Sequence, residues 1–193
     1  MIVGVPIRKV VRLGHPVLRA PARKLTPKEI AAPEVQRLIE EMAASMIEYE
    51  GVGIAANQVG EGVSLFLMGL AEGSPRHEDG IPLTVVFNPT VAFIGEQTEI
   101  DFEGCLSVDG WMALVPRAAA VRVEALNDKG EDVVILARGW HARILQHEID
   151  HLHGGLCVDR MDPRTLSGHD NYSKFWRGKS VAEVRAALLA PRR

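Results

Sequence analysis

Two histidines stand four positions apart in Gln146-His147-Glu148-Ile149-Asp150-His151, with a glutamate directly after the first, which gives the pattern H-E-x-x-H. On a helix, four residues advance the chain by about 400° and about 6 Å, so both imidazoles project from one face, one turn apart. That spacing lets His147 and His151 chelate one divalent ion. Glu148 is rotated by about 100° from His147, which sets its carboxylate beside an open coordination position rather than among the ligands. A carboxylate so placed suits a general base. Chance can assemble five such residues on a solvated helix face. Ile144, Ile149 and Leu152 argue against it, because they turn this helix towards the interior, where an unligated histidine pair is costly.

A catalytic site of this kind takes three protein ligands and leaves one position open. Two cysteines, Cys105 and Cys157, compete for the third place. Cys157 lies six residues after His151, where the extended pattern H-E-x-x-H-x-x-G-x-x-H carries its third histidine, and Gly154 occupies the glycine. It also sits in the apolar run Leu156-Cys157-Val158, where cysteine is most often a small core hydrophobe. Core filling is the favoured reading. A disulfide between the two is disfavoured, because a reducing compartment makes a metal or catalytic role the commoner fate of a special cysteine.

Cys105 belongs to Glu103-Gly104-Cys105-Leu106-Ser107, and with that segment the chain resembles the peptide deformylase family. Three motifs carry the resemblance in the family's order: Gly51-Val52-Gly53-Ile54-Ala55-Ala56-Asn57-Gln58, then Glu103 to Ser107, then Gln146 to Gly154. It extends from Gly14-His15-Pro16-Val17-Leu18-Arg19 to about Arg164. The resemblance implies a hydrolase that removes the formyl group from the N-terminal formyl-methionine of nascent polypeptides by attack of a metal-bound water. Cys105, His147 and His151 are the implied ligands and Glu148 the implied base and acid. Gln58 and the Leu106 backbone N–H are the implied oxyanion donors. Ferrous iron is the implied ion, although cysteine and histidine suit Zn2+, Ni2+ and Co2+ as well. A pocket for the methionine side chain would be lined by Val52, Gly53, Trp140 and Ile144, residues that core packing explains equally well.

Two positions depart from the family pattern. Asn57 replaces the proline common before the glutamine, and Asp109 replaces the proline common after Ser107-Val108. The Gly139-Trp140-His141-Ala142-Arg143 and Asn171-Tyr172-Ser173-Lys174-Phe175-Trp176 segments are similar to a subgroup shared by some bacteria and eukaryotic organelles. Rival readings exist. Gly51 to Ala56 fits a loose dinucleotide fingerprint, but it follows a helix and precedes a strand, the reverse of what that site needs. Other H-E-x-x-H enzymes cut internal peptide bonds, and a closed structural metal could instead serve a binding protein.

These side chains need a scaffold. Apolar residues at Val35, Leu38, Ile39, Met42 and Met46 predict a first helix from about Pro33, stopped by Gly51. Short β-prone runs follow at Ser64–Met68, Thr84–Asn88, Thr98–Phe102 and Ala120–Leu126. Asn127 to Gly130 then predicts a hairpin turn into Val133–Leu136. A helix over Trp140–His153 carries the H-E-x-x-H motif, and Ser180 with Glu183 has capping-box spacing for a last helix. Strands grouped between helices, without βαβ alternation, predict an α+β fold of mostly antiparallel strands around a central helix.

With 193 residues, the expectation is one catalytic domain over 1–193, its tail from 166 to 193 being the least constrained by the resemblance. Net charge is −3, from 22 basic and 25 acidic residues, so neither nucleic acid nor an anionic membrane is an expected partner. No apolar run approaches the roughly 20 residues of a membrane span. The N-terminus places Arg8 and Lys9 after its apolar residues, unlike a secretory signal, which points to the cytoplasm. A formylated nascent chain as substrate implies transient association with the ribosome, with the basic end Pro191-Arg192-Arg193 as a candidate contact. A homodimer is left open.

Overall fold

The structure, a computed structural model, describes residues 4–74 and 78–190, so the Pro191-Arg192-Arg193 end lies outside the described residues. A capping box between Thr26 and Glu29 opens the short helix α1 (Pro27–Ile30). The longer helix α2 (Pro33–Glu48) begins on Pro33, as its spacing predicts, since a proline at the first position loses no helical hydrogen bond. Seven strands follow: β1 (Gly53–Ala55), β2 (Leu65–Leu70), β3 (Ile81–Phe93), β4 (Thr98–Glu103), β5 (Trp111–Ala118), β6 (Ala120–Leu126) and β7 (Asp132–Arg138). The central helix α3 (Gly139–Leu152) precedes a two-residue strand, β8 (Ser167–Gly168). Two helices, α4 (His169–Asn171) and α5 (Val181–Leu188), end the described chain, and Ser180 caps α5 in the expected box with Glu183.

The named strands form two antiparallel sheets, one in the order β1-β2-β3-β6-β7 and one in the order β4-β5-β8. The fold is α+β. In the larger sheet both faces are covered, which is why β2 reads as a continuous apolar run rather than an alternation. Phe66 and Met68 pack with Leu145, Ile149 and Leu152 of α3. Their neighbours Leu65 and Leu67 point the other way and pack with Leu38, Met42 and Met46 of α2. β6 is half-buried and does alternate: Val121, Val123 and Ala125 join the α3 side, with Arg122 and Glu124 between them.

Three strands escape the sequence pattern, the two-residue β8 among them. β1 has three residues, all buried, too few to show a period. β5 contains Pro116, which ordinarily argues against a strand interior. The structure tolerates it because β8 pairs only with Trp111 and Met112, so beyond them β5 has β4 as its one strand partner.

α3 is tied to the smaller sheet by buried ions. Arg117 of β5 donates to both oxygens of Glu103 of β4, each at 2.9 Å, and to Asp150 of α3 at 2.5 Å. Arg143 of α3 reaches Glu103 at 2.7 Å and the Val115 carbonyl at 2.8 Å. Burial pushes the Glu103 carboxyl up, but the hydrogen bonds from Arg117 and His147 outweigh it and hold it well below the ordinary carboxylate range. Burial likewise opposes ionisation of Asp150, and Arg160 and Arg117 hold it down.

Removing one member of such a buried network strands the others. Arg117→Met should cost about 3–5 kcal/mol of unfolding free energy in a urea titration at neutral pH. Both carboxyls are depressed on folding, so their contribution is complete above about pH 4, the unfolded carboxyl value, and is lost as pH falls towards the folded values. The gap between parent and variant should therefore narrow in acid.

Candidate metal centre

α3 presents His147 and His151 on one face, with ring centroids 5.0 Å apart and planes inclined at 70°. Cys105 arrives from a distant segment. It leaves β4 in extended conformation and initiates a 3-10 turn, Leu106–Val108, closed by the Val108 N–H on the Cys105 carbonyl at 2.9 Å. The Cys105 sulfur lies 3.4 Å from Nε2 of His151, and the three ligand atoms of Cys105, His147 and His151 fall within 4.8 Å of one another. Sulfur and imidazole around one point, in the interior, match the donor set of a zinc- or iron-type site.

Each ring has a defined state. A carboxylate can only accept, so Nδ1–H of His147 donates to Glu103 at 3.0 Å and leaves Nε2 for an ion. Burial works against protonation of His147, yet Glu103 raises it to about 9; a cation and a proton therefore compete for this site, and acid weakens the hold on the cation. Burial and the neighbouring His147 keep His151 well below its ordinary value, neutral as a ligand must be. The Cys105 thiol lies against that of Cys157, and this contact together with burial pushes it up in the absence of a cation. Cys157 itself is buried with Val108 and Val115, the core position favoured from its apolar run, and stands outside the three-residue group.

Glu148 is 4% exposed, and its Oε2 has no hydrogen-bond partner. Burial raises its carboxyl to about 7, where proton uptake and release are both accessible near neutral pH. Pairing of β1 with β2 sets Gly53 directly against this carboxylate: a Cβ on Gly53 would lie 2.7 Å from its Cδ. The backbone here approaches Glu148 more closely than any side-chain-bearing residue would allow.

Gln58, 1% exposed, follows β1 in a 3-10 turn over Ala56–Val59. Its Oε1 accepts the Ala55 N–H at 2.9 Å, which turns Nε2 towards Ser107 Oγ at 3.3 Å and the Cys105 sulfur at 3.6 Å. Leu106 stands beside Cys105 on the same turn. Residues 11–13 lace the two turns together: Val11 N–H donates to the Gln58 carbonyl and Leu13 N–H to the Ser107 carbonyl, both at 2.8 Å. The Arg12 guanidinium donates to the Leu106 carbonyl at 2.6 Å and pairs with Asp109 at 3.3 Å. Asp109, one departure from the family pattern, thus has an ion-pair partner.

The remaining expected residues divide. Ile144 is buried in the core beneath α3, and Val52 and Trp140 are half-buried against the same cluster. A cavity of about 540 Å³ opens beside another face of α3, lined by Gln146, Ile149, Asp150 and His153 rather than by the metal-centre residues. Sequence reasoning did not single out Glu103 as the His147 partner or Arg117 and Asp150 behind it. Their signal was present only as acidic and basic residues inside otherwise apolar strands and helix.

An α+β scaffold that gathers one thiol, two helical imidazoles and an unpaired buried carboxyl defines a metal-dependent hydrolase. The sequence profile described as Polypeptide deformylase matches residues 7–167. Peptide deformylase 1 of Nitrosomonas europaea is 35% identical over 179 residues, covering 92% of this chain and 99% of the relative. The chloroplastic peptide deformylase 1A of Solanum lycopersicum is 40% identical over 172 residues, covering 84% of this chain and 62% of the relative. A Met-Ala-Ser-bound class I type b peptide deformylase of Acinetobacter baumannii superposes with a TM-score of 0.76 at 33% identity, covering 81% of this chain and 99% of that one. The chain belongs to the polypeptide deformylase family, whose enzymes remove the N-formyl group from nascent peptides.

Gly53→Ala should leave metal content unchanged while lowering turnover about 10²-fold, because the added methyl meets Glu148 and none of the three ligand residues. Metal analysis beside kinetics checks this. Cys105→Ser should lose its metal and Cys157→Ser should keep it; the reverse pattern would exchange the two assignments.

Proposed function

We propose that Cys105, His147 and His151 hold one divalent ion, ferrous iron in the cell, and that Glu148, Gln58 and Leu106 carry out deformylation of N-formyl-methionyl peptides around it. The observation that carries this reading is the buried Glu148 carboxyl, whose Oε2 has no partner and for which Gly53 leaves room, on the same helix as the two histidines of the three-residue group. An ion held by these three residues would supply Lewis-acid chemistry to the formyl carbonyl and to a water nucleophile.

Glu148 takes the proton of the attacking water and returns it to the departing methionine amine, one carboxyl serving both steps. Its raised proton affinity, set by burial, fits that double task. The Gln58 side-chain N–H and the Leu106 backbone N–H donate to the tetrahedral oxyanion; Gln58 is prepared for this by the Ala55 bond that fixes which end of its amide faces the centre. Val52, Gly53, Trp140 and Ile144 bound the side-chain pocket for methionine. A formyl group is small, so a narrow cleft admits it and turns away bulkier acyl groups.

This reading treats residues 1–193 as one catalytic unit working in the cytoplasm, close to ribosomes from which formylated chains emerge. Among the described residues no helix is long and apolar enough to cross a membrane. Transient ribosome association is measurable by co-sedimentation, and a homodimer by light scattering.

The decisive assay is anaerobic release of formate from a formyl-Met peptide. Glu148→Ala should retain its metal and lose hydrolysis, and Gln58→Leu should cost about 3 kcal/mol of barrier. Cleavage of internal bonds in a blocked peptide, with formyl-Met peptides untouched, would overturn the proposal in favour of an endopeptidase.

A further inference from the structure

The Asn57 side chain does something that the proline common at this position in the family cannot do. It is 1% exposed, and its Nδ2 donates to the backbone carbonyl of His151 at 2.5 Å, across 94 residues of sequence. That carbonyl belongs to the last turn of α3, whose end carbonyls lack helical partners, and Gly154 N–H also reaches it at 3.0 Å. A carbonyl can only accept, so the amide orientation is fixed and Oδ1 points away from it. Oδ1 of Asn57 is buried without a partner, and so is Nδ1 of His151.

These two orphaned atoms are complementary. His151 faces Cys105 through Nε2, so a neutral ring that ligates there carries its proton on Nδ1, and that N–H is a buried donor. Asn57 Oδ1 is a buried acceptor on the residue already bonded to the His151 main chain. Metal-binding histidines almost always donate their second ring nitrogen to such an acceptor, which fixes tautomer and ring orientation. For His147 this acceptor is Glu103.

We propose that Asn57 is the positioning residue for the ligand His151, holding its main chain directly through Nδ2 and its Nδ1–H through Oδ1 across one buried water. Proline offers neither atom. The inference rests on the metal-centre reading above and adds a residue that touches neither substrate nor ion.

The test uses the full chain loaded with Zn2+, with affinity measured by chelator competition. Asn57→Leu, close to isosteric, should bind Zn2+ about 10- to 100-fold more weakly, the usual loss when a histidine ligand loses its outer partner. Asn57→Asp keeps an acceptor for the ring N–H but loses the donor to the His151 carbonyl, so it should recover only part of that loss. In the zinc-loaded parent, nitrogen-edited NMR should show the Nδ1 proton of His151 in slow exchange with water. Equal Zn2+ affinities for parent and Asn57→Leu would reduce Asn57 to a helix-end cap and overturn the proposal. A fast-exchanging Nδ1 proton in the parent would do the same, without relying on any variant's folding. A parent that binds no Zn2+ would defeat the metal-centre reading itself, which separates the two failures.

Discussion

The Glu103 carboxylate accepts four hydrogen bonds: two from Arg117, one from Arg143 and one from His147. Few carboxylates can be buried so completely, and this one can be because its charge faces two guanidiniums and its lone pairs are filled. The bonds run from β4 to β5 and from both to α3, so one side chain joins the smaller sheet to the helix that carries the histidines. Glu103 is also two residues before Cys105 in sequence. The strand that delivers the sulfur therefore also orients the first imidazole, and the ligand geometry follows from a single strand–helix contact.

Around that contact the site combines features that would be unstable alone. A carboxyl with one unpaired oxygen is unfavourable in the interior. Here its surroundings supply shape rather than neutralisation: Gly53 yields the space, and apolar packing from Ile149 and Leu145 keeps α3 against the large sheet. The consequence is a proton affinity suited to exchange with water. His147 and His151, one turn apart on the same helix, are driven in opposite directions because one meets a carboxylate and the other does not.

Much of this was legible in the sequence. α2 and α3 were marked by apolar period, α5 by its cap, and β6 with β7 by the Asn127–Gly130 turn, because each signal is local. The H-E-x-x-H spacing put two imidazoles on one face of α3, with Glu148 turned beside them, by helix geometry alone. Local signals could not separate Cys105 from Cys157, since both are cysteines among apolar residues and only tertiary placement distinguishes them; the family resemblance made that choice. Glu103, Arg117 and Asp150 were illegible for a related reason. Buried charges are recognisable only once their partners, 14 and 33 residues apart in sequence, are seen together. Pro116 hid β5, and β1 was too short to show a pattern.

The lacing of residues 11–13 across the Gln58 and Ser107 turns gives the first stretch of chain an influence out of proportion to its length. Those turns lie about 50 residues apart in sequence, and these few hydrogen bonds from the amino-terminal segment bridge them. Residues 11–13 thus act as a suture between the two turns. Loosening them would slacken the turn that aims the Gln58 amide and the turn that begins at Cys105 together, so the amide and the sulfur would lose their fixed approach to the imidazoles of α3 at once.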